Sequence, residues 1–419
     1  MFRFLHVADI HLDSPLRGLE RYEGAPIEKL RNATRQALRN LVQTAIDEQV
    51  AFVVIAGDLY DGDWRDYQTG LFLVGQMGRL RDANIPVFII AGNHDAANKM
   101  TRDLRLPANV TVLGHKKPET FRLDDCQVAI HGQSFATQAV YDDLAAGYPA
   151  AQRGWFNIGL LHTCGTGREG HEPYAPCTLD TLRGKHYDYW ALGHIHQREI
   201  LHDDPPIVYS GNLQGRSVRE TGPKGCMLVT VDAASRVHVE PRFLDVLRWQ
   251  HCRVECAGAT STDEVLERVG SAFQNLVRNA DDRLLAVRVE LTGSCAIHKK
   301  LTAKKEQCVN EIRALANETG DAWVEKVLLR TAPQEAIDES CLADGPLGEL
   351  DQLIAEIHVD HERLMGLGES LAELRRKLPA ELQDGPDALD FDNPEQLRII
   401  LEQARHILVS RLIPAGGEA

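Results

Sequence analysis

Five short clusters of polar residues, each at or beside the end of an apolar run, constrain the fold of this chain most. In chain order the clusters are Asp9-Ile10-His11, Gly57-Asp58-Leu59-Tyr60-Asp61, Gly92-Asn93-His94-Asp95, Leu161-His162-Thr163 and Gly193-His194-Ile195-His196. Compact aliphatic runs are typical of strands that are buried on both faces. In α/β proteins, polar groups that follow such strands meet at one edge of the sheet. The sequence therefore predicts an α/β fold with one polar site built from five strand ends.

The apolar runs of residues 1–245 alternate with loops and two helices. The helices, Glu28–Glu48 and Gln68–Ala83, carry apolar residues at helical spacing and connect strands in a βαβ pattern. We predict seven strands here: the N-terminal run 1–8, Ala51–Ala56, Val87–Ala91, Val128–Gly132, Ile158–His162, Tyr189–Leu192 and Gly225–Val231.

The remaining sequence predicts two further domains. Residues 246–331 read as a small α+β unit, with strands Trp249–Cys256, Leu284–Leu291 and Ala322–Leu329 and helices Thr262–Asn279 and His298–Asn317. Residues 332–419 read as an acidic helical region, with helices Leu347–Ile357, Arg363–Leu378 and Pro394–Leu412 and a turn at Asp384–Asn393. These last helices could pack on the chain itself or offer an apolar face to a partner. The predicted domains are thus 1–245, 246–331 and 332–419.

Charge and cysteine content narrow the protein class. The net charge of −15 is concentrated in residues 331–419, which carry 19 acidic and 7 basic side chains. This distribution neither indicates nor excludes a nucleic-acid substrate. The nine cysteines form no CxxC pair, which favours reduced thiols in a cytoplasmic protein. No apolar run approaches the roughly 18 residues of a membrane span, and the N-terminal run is too short for a secretion signal. We expect a cytoplasmic protein without a membrane partner.

The residue types in the five clusters predict phosphate-ester hydrolysis. Two cations about 3.5–4 Å apart activate a bridging water to hydroxide and neutralise charge on a phosphoryl group. Such a site needs one carboxylate shared by both cations, with nitrogen and oxygen ligands on either side. Carboxylates, an amide oxygen and imidazoles suit Mn, Fe or Zn better than Ca. Any one of these residues alone would be read as a cap or turn residue, but five clusters in this order argue against coincidence.

The complete pattern, D-x-H, GD-x-x-D, GNH-D/E, a histidine after a strand and GH-x-H, resembles the calcineurin-like metallophosphoesterase family. The resemblance implies a β-sandwich flanked by helices, with the α+β unit as a capping domain and a C-terminal helical region. It also implies the ligand sets. One metal would take Asp9, His11, Asp58 and His196, and the other Asp58, Asn93, His162 and His194. His94 would stabilise the transition state or protonate the leaving oxygen, and Asp95 would orient His94. Asp61 either supports the site or is merely solvated.

The flanks of these motifs resemble one branch of the family. Segment 4–13 is similar to SbcD-type exonucleases, the nuclease subunits of break-repair nuclease–ATPase complexes, and so are segments 56–61, 91–95 and 191–196. Segments 167–176 and 209–216 resemble more closely the YhaO-like branch of these exonucleases. This resemblance implies a DNA exonuclease acting in double-strand-break repair, with two divalent ions. Mn²⁺ is favoured, and Mg²⁺, Fe or Zn are alternatives. It further implies an SbcC-like coiled-coil ATPase partner and a homodimer.

Some assignments stay open at this point. Arg216 and Arg219 either hold substrate phosphates or belong to a salt-bridged loop. His171 and Tyr174, in the loop after His162, could line a DNA groove, whereas His131 is best read as a structural histidine. Two other functions remain open. The protein could be a phosphoesterase for small nucleotides or phosphoproteins, because enzymes for these substrates and nucleases share the same metal ligands. It could also be a non-catalytic scaffold that tethers DNA.

Overall fold

A computed structural model describes residues 1–14, 27–61, 67–96, 104–165, 174–334, 346–371, 374, 377 and 390–412. The chain divides into two units. The first comprises Met1–Gln250 with Ala280–Ala286, and the second comprises His251–Asn279 with Val287–Ala419. The boundary after Gln250 lies near the domain boundary predicted at residue 245. A separate third domain from residue 332 stays a prediction.

The first unit alternates strands and helices. In chain order these are β1 (Phe2–Val7), α1 (Ile27–Asp47), β2 (Phe52–Ala56), α2 (Gln68–Asp82), β3 (Val87–Ile90), α3 (Asn93–Ala96), β4 (Val110–Val112), β5 (Glu119–Leu123), β6 (Val128–Gly132), β7 (Phe156–His162), α4 (Leu179–Arg183), β8 (Tyr189–Gly193), β9 (Glu199–Asp203), β10 (Pro206–Tyr209), β11 (Gly225–Val231) and β12 (Val237–Phe243).

These strands form two six-stranded sheets. The first has the order β12–β11–β1–β2–β3–β4, in which β1 to β4 are parallel. The second has the order β5–β6–β7–β8–β10–β9, in which β6, β7, β8 and β10 are parallel. One apolar core is shared by both sheets. Within it Phe4 stacks on Phe52 at 4.9 Å and meets Tyr189 of the other sheet edge-on at 5.3 Å.

Helices α1 and α2 cover the first sheet. Leu38 and Leu41 of α1 and Leu73 and Met77 of α2 belong to the same buried cluster as the β1–β3 side chains that point away from the second sheet. This burial of one apolar helix face explains the helical spacing read from the sequence. The predicted β-sandwich flanked by helices is confirmed.

Among the described residues of the first unit, the structure adds five strands to those predicted. Four of them, β4, β5, β9 and β12, are the edge strands of the two sheets. Edge strands are half-exposed, and their residues are of intermediate burial or exposed, so they lack the continuous apolar run that marks an interior strand. The fifth, β10, is fully buried but has only four residues.

The second sheet-and-helix arrangement contains β13 (Leu247–Glu255), α5 (Thr262–Arg278), β14 (Leu284–Cys295), α6 (His298–Ala303), α7 (Lys305–Thr319) and β15 (Ala322–Pro333), with the strand order β13–β14–β15. The single helix expected over His298–Asn317 is two helices. Lys304 leaves the helical region with φ −113° and ψ 38° and so separates α6 from α7.

In the described part of the C-terminal region, three helices follow: α8 (Pro346–Val359), α9 (His361–Ser370) and α10 (Pro394–Leu412). Ile354, Leu364, Phe391, Leu397 and Leu401 form their shared core. Asp360 begins α9, because its carboxylate accepts the backbone N–H groups of Glu362 and Arg363. Most of the end of the helix predicted over Arg363–Leu378, and most of the turn predicted at Asp384–Asn393, lie outside the described residues. Within the described ranges, no helix has both the length and the apolar character needed to cross a membrane.

The packing around Gly193 generates a stability prediction. A Cβ atom at Gly193 would overlap the carbonyl oxygen of Ala56 and touch Ala8. Gly193→Ala is therefore expected to lower the free energy of unfolding by about 1–3 kcal/mol. Gly75→Ala in α2 is the matched control, since its Cβ meets no atom within 4 Å, and it is expected to stabilise by about 0.5–1 kcal/mol. Urea unfolding of both variants checks this, and equal effects would contradict it.

Candidate metal centre

The ends of β1, β2, β3, β7 and β8 bring the five polar clusters together. Beyond the strands, the backbones of β1 and β2 stay paired, since the N–H of Asp9 donates to Gly57 at 3.0 Å and that of His11 to Asp58 at 3.1 Å. Asp9, His11, Asp58 and His194 all have positive φ, at 51°, 45°, 51° and 95°. This conformation is uncommon outside glycine and clusters at functional sites. It turns these side chains toward one point.

Gly57 is required by close packing at this edge. It has φ 92°, and a Cβ atom there would overlap the ring of His162. The glycine in the predicted Gly57-Asp58 pair therefore lets β2 pass directly against the histidine from β7.

Asp58 lies at the centre of the cluster and is 1% exposed. Its Oδ2 atom is 3.5 Å from His162 Nε2 and 3.9 Å from His11 Nε2. Its Oδ1 atom accepts the backbone N–H of His94 at 3.0 Å. One carboxylate oxygen thus stands between two imidazole nitrogens, which is the placement that a shared ligand needs.

On one side of Asp58, the side chains of Asp9, His11 and His196 converge. Their ligand atoms lie within 4.8 Å of one another, and the two Nε2 atoms of His11 and His196 are 3.2 Å apart. Asp9 is oriented by the backbone N–H of His194, which donates to both of its oxygens. Burial lowers the pKa of His11 to about 3, so its imidazole is neutral and able to bind a metal.

On the other side, Asp58, His162 and His194 form a second group within the same distance. Asn93 Oδ1 lies 3.0 Å from His162 Nε2. His162 Nδ1 faces the carbonyl oxygen of Ala56 at 2.9 Å and must donate its proton there. In the neutral ring Nε2 then carries a lone pair, and it is surrounded by the oxygens of Asn93 and Asp58.

This crowding of acceptors fits a cation. Burial by itself lowers the pKa of His162. The charge of Asp58, its hydrogen bond to the ring, the charge of Asp9 and the hydrogen bond to Ala56 together outweigh burial and raise the pKa to about 9. A proton on Nε2 is therefore favoured. A divalent ion in the same position would equally relieve the repulsion between the Nε2 lone pair and the oxygens of Asn93 and Asp58. Asp58 belongs to the second group, and its Oδ2 atom lies 3.9 Å from His11 Nε2 of the first. With Asp58 placed between them, the two groups suit two divalent ions.

His94 stands at the rim of the cluster. Its side chain is 37% exposed, and its Nδ1 atom lies 3.0 Å from Asp61 Oδ1. The role expected of Asp95 is corrected here, because the carboxylate of Asp95 accepts the backbone N–H groups of Leu59, Tyr60 and Gly92 instead. In the one-turn helix α3 the Asp95 side chain turns back toward the loop after β2, and Asp61 takes the place beside His94.

The remaining candidate residues differ in how close they lie to the metal cluster. The Arg216 guanidinium lies 3.1 Å from Glu220 and 3.8 Å from Asp61, whereas Arg219 is exposed. The ring of Tyr174 is 5.9 Å from that of His194, and His171 lies outside the described residues. His131 is structural: its ring nitrogens meet Thr120 Oγ1 at 2.8 Å and Asn157 Oδ1 at 3.0 Å.

Sequence reasoning missed Glu220. Its Oε1 atom lies 2.7 Å from Nδ1 of His196. Burial by itself raises the pKa of Glu220, but the hydrogen bond from His196 and the charge of Arg216 outweigh it and hold the pKa well below its usual range. Its sequence signal is weak, since it is one acid in a polar loop after the GHxH motif.

The comparisons with known proteins agree with this geometry. Residues 2–198 match the family model "Calcineurin-like phosphoesterase", and residues 249–332 match "Metallophosphoesterase YhaO, middle domain". The "Uncharacterized metallophosphoesterase YhaO" of Bacillus subtilis is 35% identical over 295 residues, which cover 70% of this chain and 72% of that protein. The chain belongs to the calcineurin-like metallophosphoesterases.

Two more distant relatives share their printed name. The "DNA double-strand break repair protein Mre11" of Halobacterium salinarum is 24% identical, over 94% of this metallophosphoesterase and 97% of that protein. The protein of the same name from Sulfolobus acidocaldarius is 22% identical, over 74% and 80%. The similarity thus continues beyond the metallophosphoesterase motifs into the rest of the chain.

The shared position of Asp58 generates a prediction about metal stoichiometry. The wild-type metallophosphoesterase is expected to bind two Mn²⁺ ions. Asp58→Asn should weaken both sites by roughly 100-fold or more, since even the outer partners of metal ligands contribute about 10–100-fold. His162→Gln should weaken one site. Isothermal titration calorimetry measures this, with His238→Gln on the exposed face of β12 as control. Loss of a single site in Asp58→Asn would contradict a shared carboxylate.

The exchange of roles between Asp61 and Asp95 can be tested separately. Asp61→Asn is expected to slow phosphodiester turnover by about 10–100-fold, because His94 loses its charged partner, with little change in stability. Asp95→Asn is expected to lower the free energy of unfolding by about 1–3 kcal/mol, because an amide donor would face backbone donors. Steady-state kinetics and thermal unfolding distinguish the two, with exposed Asp124→Asn as control. A stability loss confined to Asp61→Asn would reverse this assignment.

Proposed function

We propose that this metallophosphoesterase hydrolyses the phosphodiester bonds of DNA, as an exonuclease in double-strand-break repair. One observation carries the proposal. A cluster suited to two metals lies in a chain whose similarity to a protein named for DNA double-strand break repair spans 94% of this chain and 97% of the other. The metal ligands alone do not select DNA, because the chemistry at phosphorus is common to many substrates.

The division of labour among the side chains follows from their positions. Two bound divalent ions would supply an activated water and neutralise charge on the phosphoryl oxygens. Asp9, His11 and His196 would hold one ion and Asn93, His162 and His194 the other, with Asp58 shared between them. Asp61 contacts Nδ1 of His94. The remaining ring nitrogen, Nε2, would donate a proton to the leaving oxygen.

The exposure of the cluster supports a large substrate. The His11 and His162 side chains are fully buried, whereas those of His94 and His196 reach solvent. Among the described residues, the cluster is therefore accessible beside His94 and His196, which supports the approach of a phosphodiester within a long chain.

The proposal extends to the metal, the partners and the location. The mixture of carboxylate, amide and imidazole ligands supports Mn²⁺. Helices α8–α10 have their own apolar core and also expose Leu353, Val359 and Ile399, which is consistent with docking of a coiled-coil ATPase. A homodimer and a cytoplasmic location remain part of the same proposal.

End-labelled linear duplex DNA with Mn²⁺ tests the function. The wild-type protein is expected to shorten the DNA from its ends, and His94→Gln to slow this by about 100-fold or more. His238→Gln serves as control. Bis(p-nitrophenyl) phosphate and a cyclic nucleotide are assayed in parallel. If these small esters are hydrolysed while linear DNA stays intact, with or without the ATPase, the protein is a small-substrate phosphoesterase. If none is hydrolysed, it is a scaffold.

A further inference from the structure

Glu220 accepts hydrogen bonds from four donors beside the metal centre. Its Oε1 atom lies 2.7 Å from His196 Nδ1 and 3.1 Å from Arg216 Nη2. Its Oε2 atom accepts from the backbone N–H of Arg216 at 2.7 Å and from Asn212 Nδ2 at 3.0 Å. Since these groups all donate, only a carboxylate satisfies them, and an amide would place a donor against donors.

Arg216 extends this contact toward His94. Its Nη1 atom lies 3.5 Å from Ser14 Oγ and 3.8 Å from Asp61 Oδ2. Ser14 donates to the same Asp61 oxygen at 2.7 Å, and the other Asp61 oxygen is 3.0 Å from His94 Nδ1. A continuous line of polar contacts therefore runs from His196 through Glu220, Arg216 and Asp61 to His94.

The loop that carries the pair is held firmly. Trp249 Nε1 donates to the carbonyl oxygen of Gly215 at 3.0 Å, and the N–H of Glu220 donates to Ser217 at 2.9 Å. On the other side, Lys224 Nζ donates to the carbonyl oxygen of His196 at 3.0 Å. Neither end of the Glu220–His196 contact is free to drift, so the contact can fix the orientation of the histidine ring.

We infer that Glu220 and Arg216 are positioning residues that jointly fix His196 and His94. Glu220 holds the proton of His196 on Nδ1 and so directs Nε2 toward Asp9 and His11, as carboxylates behind metal-binding histidines do. Arg216 separates the carboxylates of Glu220 and Asp61 with a positive charge. The Nη atoms of its guanidinium contact Glu220, Ser14 and Asp61, which supports the salt-bridged loop rather than a substrate contact. The inference rests on the metal centre of the proposed function but does not require DNA as substrate.

Mn²⁺ titration tests the inference without a substrate. Glu220→Gln is expected to weaken one of the two Mn²⁺ sites by about 10–100-fold and to leave the other unchanged. Glu240→Gln, on the exposed part of β12, is the matched control. Unchanged affinity at both sites in Glu220→Gln would overturn the inference.

Kinetics with bis(p-nitrophenyl) phosphate test the coupling. Arg216→Met should lower kcat more than it weakens Mn²⁺ binding, and Arg216→Lys should recover part of the loss. The loss of kcat in the double variant Glu220→Gln/Arg216→Met should be smaller than the product of the two single losses. Arg236→Met, at a 76% exposed side chain, is the control.

The outcomes separate this inference from the proposed function. Single losses that multiply in the double variant would show independent sites and contradict the coupling. If thermal unfolding shows that Glu220→Gln does not fold, the two Arg216 variants decide instead. Full activity and unchanged Mn²⁺ binding in Arg216→Met would then contradict a positioning role for Glu220 and Arg216. If Glu220→Gln weakens one Mn²⁺ site and the kcat losses are coupled, but the wild-type protein leaves DNA intact, only the nuclease proposal is refuted.

Discussion

The rest of the structure depends on one electrostatic problem, the burial of the Asp58 carboxylate between two imidazoles. An isolated buried charge is costly unless it is paired. The pKa of His162 is raised to about 9, because Asp58, together with Asp9 and the carbonyl oxygen of Ala56, outweighs the effect of burial. Burial lowers the pKa of His11 to about 3. The same carboxylate thus faces one imidazole that favours a proton and one that excludes it. Two cations that share Asp58 would satisfy the carboxylate and both rings together.

The sandwich supplies the rigidity that this arrangement requires. Several residues of the centre adopt left-handed backbone conformations, which persist only when the surroundings determine them. Those surroundings are the buried parallel strands β1–β3 and β7–β8, joined by the aromatic packing of Phe4 with Phe52 and Tyr189. The strand ends are fixed by the core behind them, and the polar edge is fixed by hydrogen bonds such as that from His162 to Ala56.

The sequence predicted the interior strands except the four-residue β10 and brought the candidate ligands to one edge, because burial on both faces leaves a continuous apolar run. It did not predict β4, β5, β9 and β12, because edge strands are half-exposed. The assignment of Asp95 as the partner of His94 was wrong, because adjacency in sequence does not determine where a side chain points after a tight turn. Glu220 was missed for a related reason, since its contact with His196 exists only once the loop after β10 folds back. The contacts of Arg216 with Glu220 and Asp61, which support the salt-bridged loop, likewise exist only in the folded loop.

The central claim is that Asp58 is shared by two divalent ions. The most direct test is a crystal structure of the Mn²⁺-soaked protein, with anomalous diffraction recorded on both sides of the manganese absorption edge. The account predicts two anomalous peaks about 3.5–4 Å apart, both within bonding distance of Asp58, with His11 and His196 beside one and His162 and His194 beside the other. A single peak, or two peaks of which only one contacts Asp58, would contradict it.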